Sequence, residues 1–267
     1  MGDVIAIILK WILDNLTDIS TSEYLTFTQE DVNLVKSIWD YFAIVGIGMT
    51  LIYFLMEMNR KLALEGGDLN FKSFFSPFLK LMIAVAVLSQ SANIVGWILD
   101  FNNAMLTGID TSAITAAATD DLADTIDGLI EKVNVLGFFA AIALLLPILI
   151  CALCSLIVNV IWLWKGMIYK LEVLFRIGIT PIACADIYSG ANSTAIRYLK
   201  NFLALGIYAV SFVILPKLSA SLSVSGIANS DSFFGVVNSL VGLIVAPFAA
   251  ISCSSAVKTA AKEALGA

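Results

Sequence analysis

The sequence contains no histidine. That absence removes serine and cysteine triads built on a histidine base, histidine-ligated metal centres, and intramembrane proteases that pair serine with histidine. Charge is scarce as well: 13% of residues are charged and 60% are hydrophobic, against about 25% and about 45–50% in soluble domains. The chain therefore reads as a bilayer protein. A net charge of −6, from 15 basic and 21 acidic residues, leaves no overall basic field to draw nucleic acid. Also missing are a Walker loop, a zinc motif, a glycine-rich dinucleotide fingerprint, and the paired aspartates with a Gly-x-Gly-Asp motif that aspartyl intramembrane proteases need. These absences predict a non-enzymatic protein with no catalytic residues, no cofactor and no metal site. The four cysteines, Cys151, Cys154, Cys184 and Cys253, lie in or beside apolar runs and read as free thiols acting as small apolar side chains.

Long apolar runs are what the sequence does have. A spanning helix needs about 20 mostly apolar residues, because the hydrocarbon core is about 30 Å thick. Five segments qualify, from about Trp39 to Met58, Phe78 to Leu99, Val135 to Trp164, Tyr198 to Leu218 and Phe233 to Val257. Pro147 predicts a kink in the third. The expected fold is an all-α, multi-pass transmembrane helical bundle with about five spanning helices plus interfacial amphipathic helices. Its parts are an outer N-terminal segment (1–38), two spans (39–99), an acidic outer loop (100–134), the remaining spans (135–257) and an inner C-terminal tail (258–267).

The run from Val4 to Leu16 is too short to span, and Asp3, Lys10, Asp14 and Thr17 fall along one helical face, which predicts an interfacial amphipathic helix. It lacks the basic start and small-residue cleavage site of a signal peptide, so it is expected to remain in the mature chain. Thr28-Gln-Glu-Asp31 reads as a helix start with acidic residues in its first turn. In the outer loop, Thr111 to Asn134 places Ile114, Ala118, Leu122, Ile126, Leu129 and Val133 on one face, with Asp120, Asp121, Asp124, Asp127 and Glu131 elsewhere. An amphipathic outer helix is expected there.

The stretch 171–188 is ambiguous, since it carries Glu172, Arg176, Pro181 and Asp186. The positive-inside rule favours treating it as a short interfacial or re-entrant helix. With five spans and the N-terminus outside, the inner segments hold 11 of the 15 basic residues and six acidic ones, and the outer segments hold four basic and 15 acidic. That asymmetry predicts a bacterial cytoplasmic (plasma) membrane protein with its N-terminus out and its C-terminus in. The middles of the spans carry no ionisable residue, and the polar exceptions are Gln90, Asn93, Asn159 and Asn238. These candidate intramembrane polar groups read either as interhelical hydrogen-bonding partners or as pore-facing side chains.

The run Arg176-Ile-Gly-Ile-Thr-Pro-Ile-Ala-Cys-Ala-Asp-Ile-Tyr188, the polar break from Ser189 to Thr194, and Ala195-Ile-Arg197 opening the next apolar helix resemble the central stretch of TrbL-like polytopic membrane subunits of type IV secretion and conjugation machines. The matching elements are Pro181-Ile182 after a small-residue apolar run, Tyr188 and Arg197. The resemblance implies a ring-like homo-oligomer around a translocation path for DNA or protein, working beside other machine subunits and separate cytoplasmic ATPases. It makes Glu172, Arg176, Pro181, Asp186, Tyr188 and Arg197 candidate partner-contact or assembly residues. Two other classes stay open: a stand-alone small-solute transporter or channel, with a site around Gln90, Asn93 and Asn159, and a membrane scaffold or immunity protein with no conduction path.

Overall fold

A computed structural model describes residues 2–17, 25–64, 71–108, 124, 126–131, 138–185, 194–225 and 233–266. Among them every regular element is helical. The helices are α1 (Gly2–Thr17), α2 (Gln29–Leu64), α3 (Phe71–Ser89), α4 (Ser91–Thr107), α5 (Phe138–Cys184), α6 (Thr194–Ser225) and α7 (Phe233–Leu265). Four of them, α2, α5, α6 and α7, are long and apolar enough to cross a membrane. The chain is a multi-pass α-helical membrane protein.

The elements gather into two units. The first comprises Met1–Leu25, Met105–Ile168 and Tyr208–Thr259. Its core joins Ile5, Leu9 and Ile12 of α1 to Leu144, Ile148, Cys151 and Ala152 of α5 and to Val236, Leu240 and Leu243 of α7. The spacing of four and three along α1 puts its three isoleucine and leucine side chains on one face. Val4, Ile7 and Trp11 form a second apolar stripe that stays exposed. Ile126 and Leu129 join the same core while Asp127 and Glu131 face out, as the periodicity of the outer loop requires; the rest of Thr111 to Asn134, apart from Asp124 and the short helical run 126–131, lies outside the described residues. Trp162 of α5 meets the ring of Phe212 of α6 edge-on, with centroids 5.9 Å apart.

The second unit comprises Thr26–Ala104, Tyr169–Ile207 and Ala260–Ala267. Here α2 buries only Val35, Trp39, Ala43, Gly46 and Thr50, a single stripe at helical spacing. That stripe lies along the C-terminal part of α5. A Cβ on Gly46 would stand 2.7 Å from the carbonyl oxygen of Pro181, and one on Gly178 would stand 2.5 Å from Cγ2 of Ile38. The two helices approach this closely only because glycine presents no side chain at either point. Thr50 is fully buried, and its hydroxyl donates to the Gly46 carbonyl at 2.8 Å.

Two sequence expectations change. The stretch 171–188 is not a separate short helix, because residues 171–184 continue α5 without interruption. At 47 residues α5 is about 70 Å long, more than twice the hydrocarbon thickness. Charged side chains do not break a helix, so Lys165, Lys170, Glu172 and Arg176 mark a change of surroundings rather than an end. Pro147, where the sequence predicts a kink, lies inside this same helix. Conversely, the second expected span, 78–99, is two helices that meet at Gln90. Polar side chains there compete with the backbone ladder: the Ser89 hydroxyl donates to the Ala86 carbonyl at 2.9 Å, and Asn93 Nδ2 donates to Gln90 Oε1 at 3.0 Å.

Gly46 and Gly48 separate close approach from open surface, since nothing lies within 4 Å of a Cβ built on Gly48. Gly46→Ala is expected to destabilise the protein by about 1–3 kcal/mol through overpacking. Gly48→Ala is expected to be neutral or stabilising by up to about 1 kcal/mol, because alanine loses less backbone freedom in a helix. Thermal unfolding of the two variants in detergent, followed by circular dichroism, checks the contrast.

Candidate functional site

The second unit concentrates its polar side chains where α2 begins. Thr28 caps α2, as its sequence pattern indicates. Its backbone N–H donates to Asp31 Oδ2 at 2.8 Å, its hydroxyl donates to the same oxygen at 3.0 Å, and the Asp31 N–H donates back to the hydroxyl at 3.4 Å. This reciprocal pairing satisfies donors that the first helical turn leaves without partners.

Lys170 of α5 locks that cap in place. Its ammonium forms an ion pair with Asp31 Oδ2 at 2.7 Å, donates to the Thr26 carbonyl at 3.1 Å and lies 5.8 Å from the centroid of the Phe27 ring. From the other side, Asn103 of α4 grips the backbone of Phe27 twice: Oδ1 accepts from the Phe27 N–H at 2.9 Å and Nδ2 donates to the Phe27 carbonyl at 3.2 Å. Its neighbour Asn102 is fully buried, accepting the Tyr169 hydroxyl at 3.1 Å on Oδ1 and donating from Nδ2 to the Ile98 carbonyl at 2.9 Å. A Cβ on Gly206 of α6 would lie 3.6 Å from that same Oδ1. Side chains of α4 and α5 thus converge on the entry to α2, with α6 closing on Asn102.

One turn further along α5 lie the residues singled out by the sequence. Glu172 and Arg176 pair at 2.8 Å across one turn. The Arg176 carbonyl accepts the Thr180 hydroxyl at 2.9 Å and also the hydroxyl of Tyr198 in α6. Pro181 faces Gly46, as described above. Arg176 and Pro181 therefore lie where α5 meets α6 and α2, and Glu172 pairs with Arg176 within α5. Arg197 is exposed on α6, with its carbonyl accepting from Asn201 Nδ2 at 3.0 Å. Asp186 and Tyr188 lie outside the described residues.

The four intramembrane polar candidates do not form one group. Gln90 and Asn93 bond each other on an exposed surface in the second unit, whereas Asn159 and Asn238 belong to the first, half-buried on α5 and exposed on α7 respectively. Sequence reasoning missed Asn102 and Asn103, which it placed in the outer loop 100–134, and Tyr169 and Lys170, which it placed beyond the span ending at Trp164. The adjacent asparagines, one buried and one gripping a backbone, were the available signal.

The contacts in this cluster fasten one helix to another. Its two carboxylates are in ion pairs, and its hydroxyls donate to the Asp31 carboxylate, to backbone carbonyls or to the Asn102 carboxamide. Among the described residues no group of three acidic or cysteine side chains is placed to hold a metal ion. Searched against protein-family models the chain matches none, and against curated proteins and solved structures it likewise shows no match.

Tyr169→Phe leaves the buried Asn102 oxygen without its donor and is expected to cost about 1–3 kcal/mol. Adding Asn102→Leu removes the orphaned group, so the double variant should lose less than the sum of the two single changes. Thermal unfolding in detergent measures the cycle, and strict additivity would contradict the proposed link.

Proposed function

We propose that this protein is a non-enzymatic, multi-pass subunit of a type IV secretion or conjugation machine, similar to the TrbL-like family. It sits in a bacterial cytoplasmic membrane with its N-terminus outside and its C-terminus inside. In this role it assembles with further copies into a ring and works with separate cytoplasmic ATPases and other machine subunits to pass DNA or protein. The observation that carries the reading is the placement of the family-like stretch: Arg176 and Pro181 lie where α5 is fastened to α6 and α2. A family-like stretch at a helix joint suits a part that must be positioned, and a conduit powered by other subunits needs no reactive group of its own.

Exposed surface supports assembly as well. The Gln90–Asn93 pair satisfies one of its possible hydrogen bonds internally and presents the remaining amide groups outward at a helix break. In lipid such groups favour a protein partner. The same break favours a second reading, a stand-alone solute transporter, because discontinuous helices often form transport sites.

Pro181→Leu and Arg197→Glu are each expected to abolish transfer between cells while leaving membrane insertion intact. Purification of the tagged protein from its host in mild detergent, with mass spectrometry of what is retained, separates the two readings. Recovery of ATPases and other membrane subunits in reproducible ratio supports the machine subunit; recovery of the protein alone, with solute uptake after reconstitution, supports the transporter.

A further inference from the structure

In the first unit, α1 packs along its neighbours rather than across them. Ile5, Leu9 and Ile12 share a core with α5 between Leu144 and Ala152 and with α7 between Val236 and Leu243. Ile12 also lines a small cavity with Cys154 and Val158 of α5 and Leu243 and Pro247 of α7. From Leu144 to Val158 is about 21 Å of helix axis, whereas a helix lying flat on the membrane surface is only about 10–12 Å across. The same contacts set the depth. Cys154 lies near the middle of the apolar run 138–164, and Leu243 and Pro247 bracket the middle of the run 233–257. Two spans therefore agree that Ile12 stands near the centre of the bilayer.

We propose that α1 stands within the membrane beside α5 and α7, and that its polar stripe, centred on Lys10, lines a water-filled path. Lys10 is exposed. It is two residues from Ile12, a rise of about 3 Å, and a side chain of about 6 Å leaves its ammonium short of headgroups that begin about 15 Å from the centre. By helical spacing Asp3, Asp14 and Thr17 share its stripe, which makes a polar track about 21 Å long. Val4, Ile7 and Trp11 form a different exposed stripe, apolar throughout. Thus α1 turns one face to the core, one to lipid and one to neither. A charge at this depth faces a bundle interior or water, and the core face of α1 is already filled. A pairing of Lys10 with Asp14 across one turn leaves this unchanged, since both charges still need polar surroundings at hydrocarbon depth. A neighbouring helix would have to match polar groups along the whole track, whereas water matches any sequence of them. The inference needs only that α5 and α7 cross a bilayer and is independent of the secretion-machine assignment, so either can fail without the other.

Cysteine labelling of the full chain in host membranes tests the path. The parent carries alanine at the four native cysteines, or at the exposed Cys253 alone should that parent not fold. Lys10 and Ile7 are both exposed, so neither Lys10→Cys nor Ile7→Cys opens the core. Lys10→Cys should react with a charged, water-soluble methanethiosulfonate at least about tenfold faster than Ile7→Cys, because a thiol ionises in water and stays protonated in lipid. A nitroxide attached at Trp11→Cys, on the apolar stripe beside Ile12, should show the high oxygen exposure and low nickel-chelate exposure of the bilayer centre. Equal labelling of Lys10→Cys and Ile7→Cys overturns the path. So does a Lys10→Cys variant that resists the charged reagent, which is the result for a stripe covered by lipid or by another protein. A nitroxide at headgroup depth overturns the placement of α1 within the membrane.

Discussion

Helices in a bilayer gain nothing from moving leucine out of lipid and into protein, because both surroundings are equally apolar. Association must come from closer backbone approach and from polar groups that find partners. Both devices meet where α2 lies along α5. Gly46 and Gly178 let the backbones touch, and the Asp31–Lys170 ion pair sets the register at the start of the contact. Most of the remaining surface of α2, including Tyr41, Ile44, Ile52 and Leu55, is exposed. A helix held by so narrow a seam depends on each point along it.

The same physics explains what was legible in the sequence. Spans were readable because hydropathy reports directly on surroundings, and the start of α2 was readable because Thr28 and Asp31 bond within one turn. Helix continuity was not readable in the same way. Lys165 and Lys170 made residues beyond Trp164 look like a new element, yet each lysine is accommodated by a neighbouring helix: the Ile251 carbonyl and Ser254 hydroxyl receive one, while Asp31 and the Thr26 carbonyl receive the other. Those partners lie 86 and 89 residues away for Lys165 and 144 away for Thr26 and Lys170. No local pattern encodes contacts at such separations.

The opposite error arose at Gln90, where a segment apolar enough on average to read as one span contains a helix break at its polar residues. Pro147 was expected to kink a span rather than end it, and α5 runs through it as one helix, while the chain turns at Gln90, which has no proline beside it. A proline costs one backbone bond that surrounding helices can tolerate. Ser89, Gln90 and Asn93 instead offer the backbone and one another alternative partners at consecutive turns. For spanning segments, the density of short polar side chains is therefore as informative as proline.

The distribution of hydroxyls bears on how the protein acts. Buried Ser155, Ser211, Ser219, Ser239 and Ser254 all donate to carbonyls three or four residues earlier on their own helices. A hydroxyl so engaged is satisfied in lipid and contributes little to recognising a solute. The contacts that do cross between helices, through Asn102, Asn103, Tyr169 and Lys170, hold one element against another. Among the described residues, polar side chains that bond across helices thus act mainly as fasteners, setting which helix faces meet and at what register.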